Sequence, residues 1–290
     1  MIICINGPTG VGKTKLSIEL AKKYNAIIVN GDAMQVYKKL DIGTAKVRED
    51  EKEGIPHFLF DIVDVNDVYT VYDYQRDLRK FLSKNANKNI IIVGGSGLYV
   101  KAGLYDYRFN DVALKNEYKD ISNEELYDMV KKIDAKTEIH VNNRKRLVSF
   151  LNNPNTEIHK DDLLYDVIFI GLTTERNTLY DVVDRRVDKM VNDGLIDEVK
   201  SLYDENIRSK AVMTGIGYKE LYDYFDGKVS LEEAISNIKK NTRHFIKRQY
   251  TWYNNQMNIK WFNTDFADFS KTVNEVINFI DGRIRDKQIH

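Results

Sequence analysis

Four short apolar runs, at residues 2–5, 26–29, 90–93 and 167–170, punctuate a chain that is otherwise amphipathic or polar. Continuous runs of this length, rich in Ile and Val, predict strands buried on both faces of a parallel sheet. The segments between them have helical spacing. Leu16, Ile18, Leu20 and Ala21 share one side of a helix, as do Tyr74, Leu78, Phe81 and Leu82 in a helix predicted over 71–82. After 174 the positions Leu179, Val183, Val187, Met190 and Val191 predict one long helix, and a short strand is expected around 58–62. From about 109 to 143 the apolar runs vanish. Residues 122–133 read there as an amphipathic helix with Leu126, Met129, Val130 and Ile133 inward. This pattern predicts an α/β core from 1–108 and 144–290, interrupted by a small helical insertion domain at 109–143.

The first strand runs directly into Gly7, Pro8, Thr9, Gly10, Val11, Gly12, Lys13 and Thr14, and a helix follows. The pattern G-x-x-x-x-G-K-[ST] in that context is a phosphate-binding loop, so the fold expected is P-loop NTPase-like, a parallel sheet flanked by helices. Backbone N–H groups, the Lys13 ammonium and a magnesium-binding hydroxyl from Thr14 converge on a polyphosphate. The second strand ends just before Asp32. In an open α/β sheet the C-terminal strand ends form the ligand crevice, which places Asp32 in the same cleft; a helix N-cap is the structural alternative. The 90–93 strand ends in Gly94-Gly95-Ser96-Gly97, small residues that let a ligand approach, with a hydroxyl on Ser96. No aspartate closes that strand, which weakens an ATPase reading.

Composition narrows the function without choosing it. In 290 residues, 44 Lys and Arg balance 44 Asp and Glu, so affinity for a polyanion must come from local clustering. The only cysteine, Cys4, lies in the first apolar run, so no disulfide framework exists. No apolar run approaches the ~18 residues that span a bilayer, and no leader pattern precedes the first strand; a cytoplasmic protein without membrane contact is expected. Charge does cluster between 234 and 264, where no acidic residue occurs. Lys239, Arg243 and Lys247 repeat every four residues beside a row of Lys240, His244 and Arg248. With Tyr250, Trp252, Tyr253, Trp261 and Phe262 following, this is a candidate nucleic-acid surface with aromatics for stacking. Arg144, Lys145 and Arg146 form a second basic knot. Arg176, Arg185 and Arg186 lie on the long helix among Asp181, Asp184 and Asp188, where ion pairing is the ordinary fate.

Over nearly its whole length the chain resembles the tRNA dimethylallyltransferases, also called tRNA isopentenyltransferases. The matching strings are GPTGVGKT at 7–14, GDAMQVY at 31–37, DIGTAK at 41–46, PHFLFD at 56–61 and VGGSGLYVKA at 93–102. They continue with the ER, DRRVDKM and GLIDEV blocks within 175–199, GIGYKEL at 215–221 and TRHFIKRQYTW at 242–252. The resemblance implies transfer of a dimethylallyl group from dimethylallyl diphosphate to N6 of the adenosine 3′ of the anticodon, with Mg²⁺ as cofactor. It implies that the loop at 7–14 cradles the diphosphate leaving group, with Thr14 toward the metal. Asp32 matches the family's general base, Arg186 an arginine at the diphosphate end, and Ser96 a position usually threonine. The tRNA anticodon stem-loop would meet Asp32, Ala33, Met34 and Gln35, residues 145–149 including Lys145 and Arg146, residues 214–219, and the basic helix with Arg243, Lys247 and Arg248. A monomer is expected.

Two departures fall on the expected tRNA side: Ser149 stands where relatives often have a second arginine, and the insertion is shorter. Two rivals stay open at this level. One is an adenylate (cytokinin-type) isopentenyltransferase acting on free nucleotide, against which the basic helix speaks. The other is a P-loop nucleotide kinase.

Overall fold

The structure, a computed structural model, describes residues 1–109, 118–135, 137, 139–152 and 162–289, with side chains as far as 286. The contacts divide the chain into two units: Met1–Tyr105 with Leu163–His290, and Asp106–Asp162.

The larger unit is built on a six-stranded sheet in the order β3-β2-β4-β1-β5-β6, every pairing parallel. Its strands are β1 (Ile2–Asn6), β2 (Ala26–Asn30), β3 (His57–Phe58), β4 (Asn89–Val93), β5 (Val167–Thr173) and β6 (Lys260–Asn263). Both faces are covered, as the unbroken apolar runs require. Ile3, Ile5, Ile28 and Ile91 face one layer, with Leu16 and Leu20 of α1 (Lys13–Tyr24) and Val276 and Ile280 of α11 (Phe269–Ile289). Cys4, Val29, Ile90 and Ile92 face the other, against Tyr74 and Leu78 of α2 (Val71–Lys84) and Val100 of α3 (Gly97–Leu104). Helix α2 starts at a capping box, Thr70 accepting from the Asp73 amide at 3.2 Å while Asp73 accepts from the Thr70 amide at 2.9 Å. The Cys4 thiol is fully buried and pushed up to about 12 by burial, so it stays protonated and is no nucleophile.

In the smaller unit, α4 (Asn123–Ile133) and α5 (Arg144–Asn152) bury Leu126, Val130, Leu147 and Leu151 against each other. The unit contains 109–143 and extends beyond it on both sides, so that α5 belongs to it rather than to the core. Ile133, expected inward, is exposed at the last residue of α4.

Three other expectations are corrected. The long helix after 174 is two, α6 (Arg176–Asn192) and α7 (Leu195–Asp204), broken at Gly194 with φ +103°. The strand near 58–62 is shorter and earlier, because Leu59 and Asp61 turn to positive φ. Residues 260–263 form the edge strand β6, which carries Trp261 and Phe262 into the sheet cores. The remaining helices are α8 (Lys210–Thr214), α9 (Tyr218–Phe225) and α10 (Leu231–Gln256). With α6 and α7 they bury a further apolar cluster that includes Val187, Leu195, Tyr218, Leu221 and Ile238.

Parallel strands put all their C-terminal ends on one edge. The loops after β1, β2 and β4 therefore emerge side by side, which brings 7–12, 30–35 and 94–96 together from distant parts of the chain.

Candidate active site

The loop after β1 is held from below. Val11 is fully buried and its carbonyl accepts from the Thr264 hydroxyl at 2.8 Å, while the Phe269 ring packs under Gly12, where the chain turns into α1. Lys13 folds back over the loop and donates to the Pro8 carbonyl at 2.7 Å. Burial is the main influence on its ammonium and lowers it to about 7; Asp32 opposes that shift and Arg186 adds to it. An ammonium with only a neutral acceptor is prepared for an anion, which would restore its charge. Thr14 is exposed at the head of α1.

The turn after β2 is fused to the turn after β4. The Gly31 amide donates to the Val93 carbonyl at 2.8 Å and the Ser96 amide to the Gly31 carbonyl at 3.3 Å. A Cβ added to Gly94 would stand 2.1 Å from the carbonyl carbon of Gly31, so only glycine permits this approach. Asp32 follows in a tight turn. Its amide donates to Asn30 Oδ1 at 2.8 Å, and its own Oδ1 accepts from the Met34 amide at 2.9 Å. No helix starts there, so Asp32 is not a helix cap but an Asx turn that leaves Oδ2 outside that bond; a Cβ on Gly95 would lie 3.3 Å from Oδ2. The Ser96 hydroxyl accepts from the Ala33 amide at 2.9 Å and so holds the Asp32 turn in place. Gln35 donates to the carbonyls of Thr44 and Ala45, at 2.9 and 3.3 Å, and closes the following loop.

Arg186 reaches this cluster from α6, its Nη1 donating to the Thr9 hydroxyl at 3.2 Å. Burial weakens the hold on its proton, and the carboxylates of Asp32 and Glu51 oppose that. A guanidinium, two other polar loops, an ammonium and a carboxylate thus share one strand edge.

The basic helix needs a larger correction. Its own stretch lacks acids, but α6 supplies them: Lys239 pairs with Asp188 at 2.6 Å and Arg243 with Asp184. Arg243 is therefore half-buried and paired with α6, while Lys240, His244, Lys247 and Arg248 stay exposed, with no acidic partner among the described residues. Arg248 lies over the Phe245 ring. The five aromatics expected to stack on bases pack instead into the two sheet cores, Tyr250 and Phe262 on one side and Trp252, Tyr253 and Trp261 on the other. In the smaller unit Arg144 is committed to backbone, donating to the Ile121 carbonyl at 2.6 Å and to that of Tyr118; Lys145 and Arg146 are exposed.

Sequence reasoning missed two kinds of residue. Glu198 on α7 accepts from the amides of Asp41, Ile42 and Gly43 at 3.1, 2.7 and 3.1 Å and from the Tyr218 hydroxyl at 2.7 Å. The DIGTAK and GLIDEV strings therefore hold each other. Burial and then Glu198 push the Tyr218 phenol well above its ordinary range, so it remains a donor. Gln249, buried on α10 at 5% exposure, accepts from the Thr9 amide and donates to the Gly95 carbonyl. A polar residue on the apolar side of a helix, four before Tyr253, was its one visible sign.

Comparison with known proteins agrees with this architecture. A family model described as IPP transferase matches residues 35–256. A tRNA dimethylallyltransferase of Anoxybacillus flavithermus is 46% identical, the match covering 97% of this chain and 96% of that one. The crystal structure of the full-length tRNA isopentenylpyrophosphate transferase of Bacillus halodurans superposes with a TM-score of 0.79 at 41% identity, over 99% of this chain and 97% of that one. A eukaryotic dimethylallyltransferase captured acting on tRNA gives a TM-score of 0.84 at 27% identity, over 99% of this chain and 79% of the other.

Proposed function

The chain belongs to the IPP transferase family, and from that premise we propose that it moves a dimethylallyl group from dimethylallyl diphosphate to N6 of the adenosine immediately 3′ of the anticodon in tRNA. The observation that carries this reading is the shared strand edge: an anion cradle at 7–14, with Lys13 and Arg186, beside the carboxylate of Asp32. A P-loop kinase would also need a carboxylate for its metal at the end of β4, where Gly94, Gly95 and Ser96 stand instead. Prenyl transfer to an amine needs the cradle and the Asp32 carboxylate.

The bond between the allylic carbon and the diphosphate oxygen breaks while the bond from N6 to that carbon forms. Negative charge grows on the diphosphate, which the loop amides, Lys13 and Arg186 are arranged to receive. The adenine amine is a weak nucleophile because its lone pair is conjugated with the ring. Asp32 orients it and takes its proton as the new bond forms. Ser96 keeps the Asp32 turn in register through Ala33.

The donor set also fits Mg²⁺. Thr14 offers a hard hydroxyl oxygen at the head of α1, a ligand that would share such an ion with substrate phosphate oxygens. When bound, such an ion neutralises charge on the leaving group.

In the larger unit Ala33, Met34, Gln35, Lys247 and Arg248 are assigned to tRNA, and in the smaller unit Lys145 and Arg146 are; the target base is flipped out of its stack to reach Asp32. Arg243 contributes by anchoring α10 to α6. No helix among the described residues is long and apolar enough to cross a membrane. In this reading the enzyme works in the cytoplasm, where its acceptor is, and a monomer suffices, since one chain supplies every proposed catalytic group.

Mass analysis of nucleosides after incubation with dimethylallyl diphosphate and either an anticodon stem-loop or AMP tests the reaction. Prenylated adenosine from the stem-loop is expected, and labelling of AMP alone would refute the tRNA assignment. Replacing Lys247 and Arg248 together by Ala should weaken stem-loop binding about tenfold and reduce the slope of log K against log salt by roughly one to two. Turnover at saturating RNA should persist. An unchanged salt slope in a binding titration would remove these cations from the interface.

A further inference from the structure

Helix α10 turns one side chain between the two halves of the proposed site. Gln249 accepts at Oε1 from the Thr9 amide at 3.0 Å and donates from Nε2 to the Gly95 carbonyl at 3.0 Å. Its neighbours on the same face reinforce the second contact. The Tyr253 hydroxyl donates to the Gly94 carbonyl at 3.5 Å, and the Trp252 ring fills the space a Cβ on Gly97 would need. Both ends of the amide are therefore satisfied by backbone in a buried place, which a carboxylate, an acceptor only, or an ammonium, a donor only, cannot reproduce.

The two residues Gln249 joins are not arbitrary. Thr9 is the loop residue whose hydroxyl receives Arg186, on the leaving-group side. Gly95 is the residue whose absent side chain leaves room beside Asp32 Oδ2, on the acceptor side. β1 and β4 are adjacent strands, and the Gln249 amide bridges the two loops that leave them. Displacement at carbon requires donor oxygen, carbon and attacking nitrogen to be held in line, and a misplacement of about 1 Å can cost ~10²-fold.

We propose that Gln249 is a positioning residue for prenyl transfer, which sets the separation of the diphosphate cradle from the Asp32 turn through Thr9 and Gly95. This rests on the reaction proposed above. Both ends of the Gln249 amide are taken by backbone, so the role assigned to the residue is indirect, through Thr9 and Gly95. On α10 it lies opposite Lys240, His244 and Lys247, so its effect is separable from RNA binding.

The test compares wild type with Gln249→Met, which matches the volume and removes both polar contacts, and with Gln249→Glu, which keeps an acceptor for Thr9 but sets a carboxylate against the Gly95 carbonyl. Single-turnover rate, stem-loop Kd and melting temperature are read for each. Rates about tenfold or more below wild type are expected in both variants, with Kd within about twofold and melting within a few degrees. In a double-mutant cycle with Thr9→Val the rate losses should fall short of adding, since Thr9 lies on the same path. A Gln249→Met rate within about threefold of wild type overturns the positioning role, and so does a loss that tracks RNA affinity or melting. If wild type itself leaves the stem-loop unprenylated, the proposed reaction fails instead.

Discussion

Asp32→Asn is expected to lower turnover by ~10²-fold or more, the usual cost of removing a general base, while tRNA affinity and melting temperature stay close to wild type. The geometry makes this substitution more informative than Asp32→Ala. The Asp32 turn is held by the Asn30 side chain, by Ser96 through Ala33, and by Asp32 Oδ1 accepting from Met34. An asparagine oxygen can accept that last bond, so the turn survives and only the proton acceptor is lost. Asp32→Ala removes both and mixes a local rearrangement with the chemistry. Single-turnover kinetics on a stem-loop, with a parallel binding titration, separate the two effects. Turnover within about threefold of wild type in Asp32→Asn would reduce Asp32 to a turn residue.

Arg186→Ala should be nearly as damaging, with a rate loss of ~10²–10³ expected for removing a preorganised donor at the developing charge. Here the loss should appear at the leaving group. Inhibition by inorganic diphosphate should weaken in step with the rate, whereas stem-loop affinity should hold. Arg186→Lys should recover only part of the activity, because an ammonium cannot offer two parallel donors to two phosphate oxygens. The structure supplies a competing explanation to be excluded, since Arg186 also holds the Thr9 hydroxyl. Thr9→Val separates them: if the Thr9 contact were all that mattered, Thr9→Val would match Arg186→Ala in rate and in diphosphate inhibition.

The residues that can be read from the chain alone and those that cannot differ in kind. Asp32 and the loop at 7–14 were legible because each lies directly after a predicted strand, and the end of a parallel strand is a known place in space. The cations of α10 were legible as a row but not as partners. Asp184 and Asp188, which neutralise Arg243 and Lys239, stand on another helix, 59 residues away in the case of Arg243 and Asp184. The aromatics after them were misread for the same reason: Trp261 and Phe262 look exposed until 260–263 is seen to pair with β5.

Periodicity, glycine placement and the phosphate-loop motif were enough to predict four of the six strands, a parallel sheet covered on both faces, and the placing of the 7–14 loop and Asp32 at one strand edge. These are local properties, written in spacings of about two to eight residues. The tertiary structure alone decided which polar groups hold the site together. Glu198 closes on amides 155 to 157 residues away, and Gln249 reaches Thr9 across 240 residues. No local pattern encodes such a pairing, because the hydrogen bond requires only that two buried polar groups meet, and the folded sheet determines where they meet.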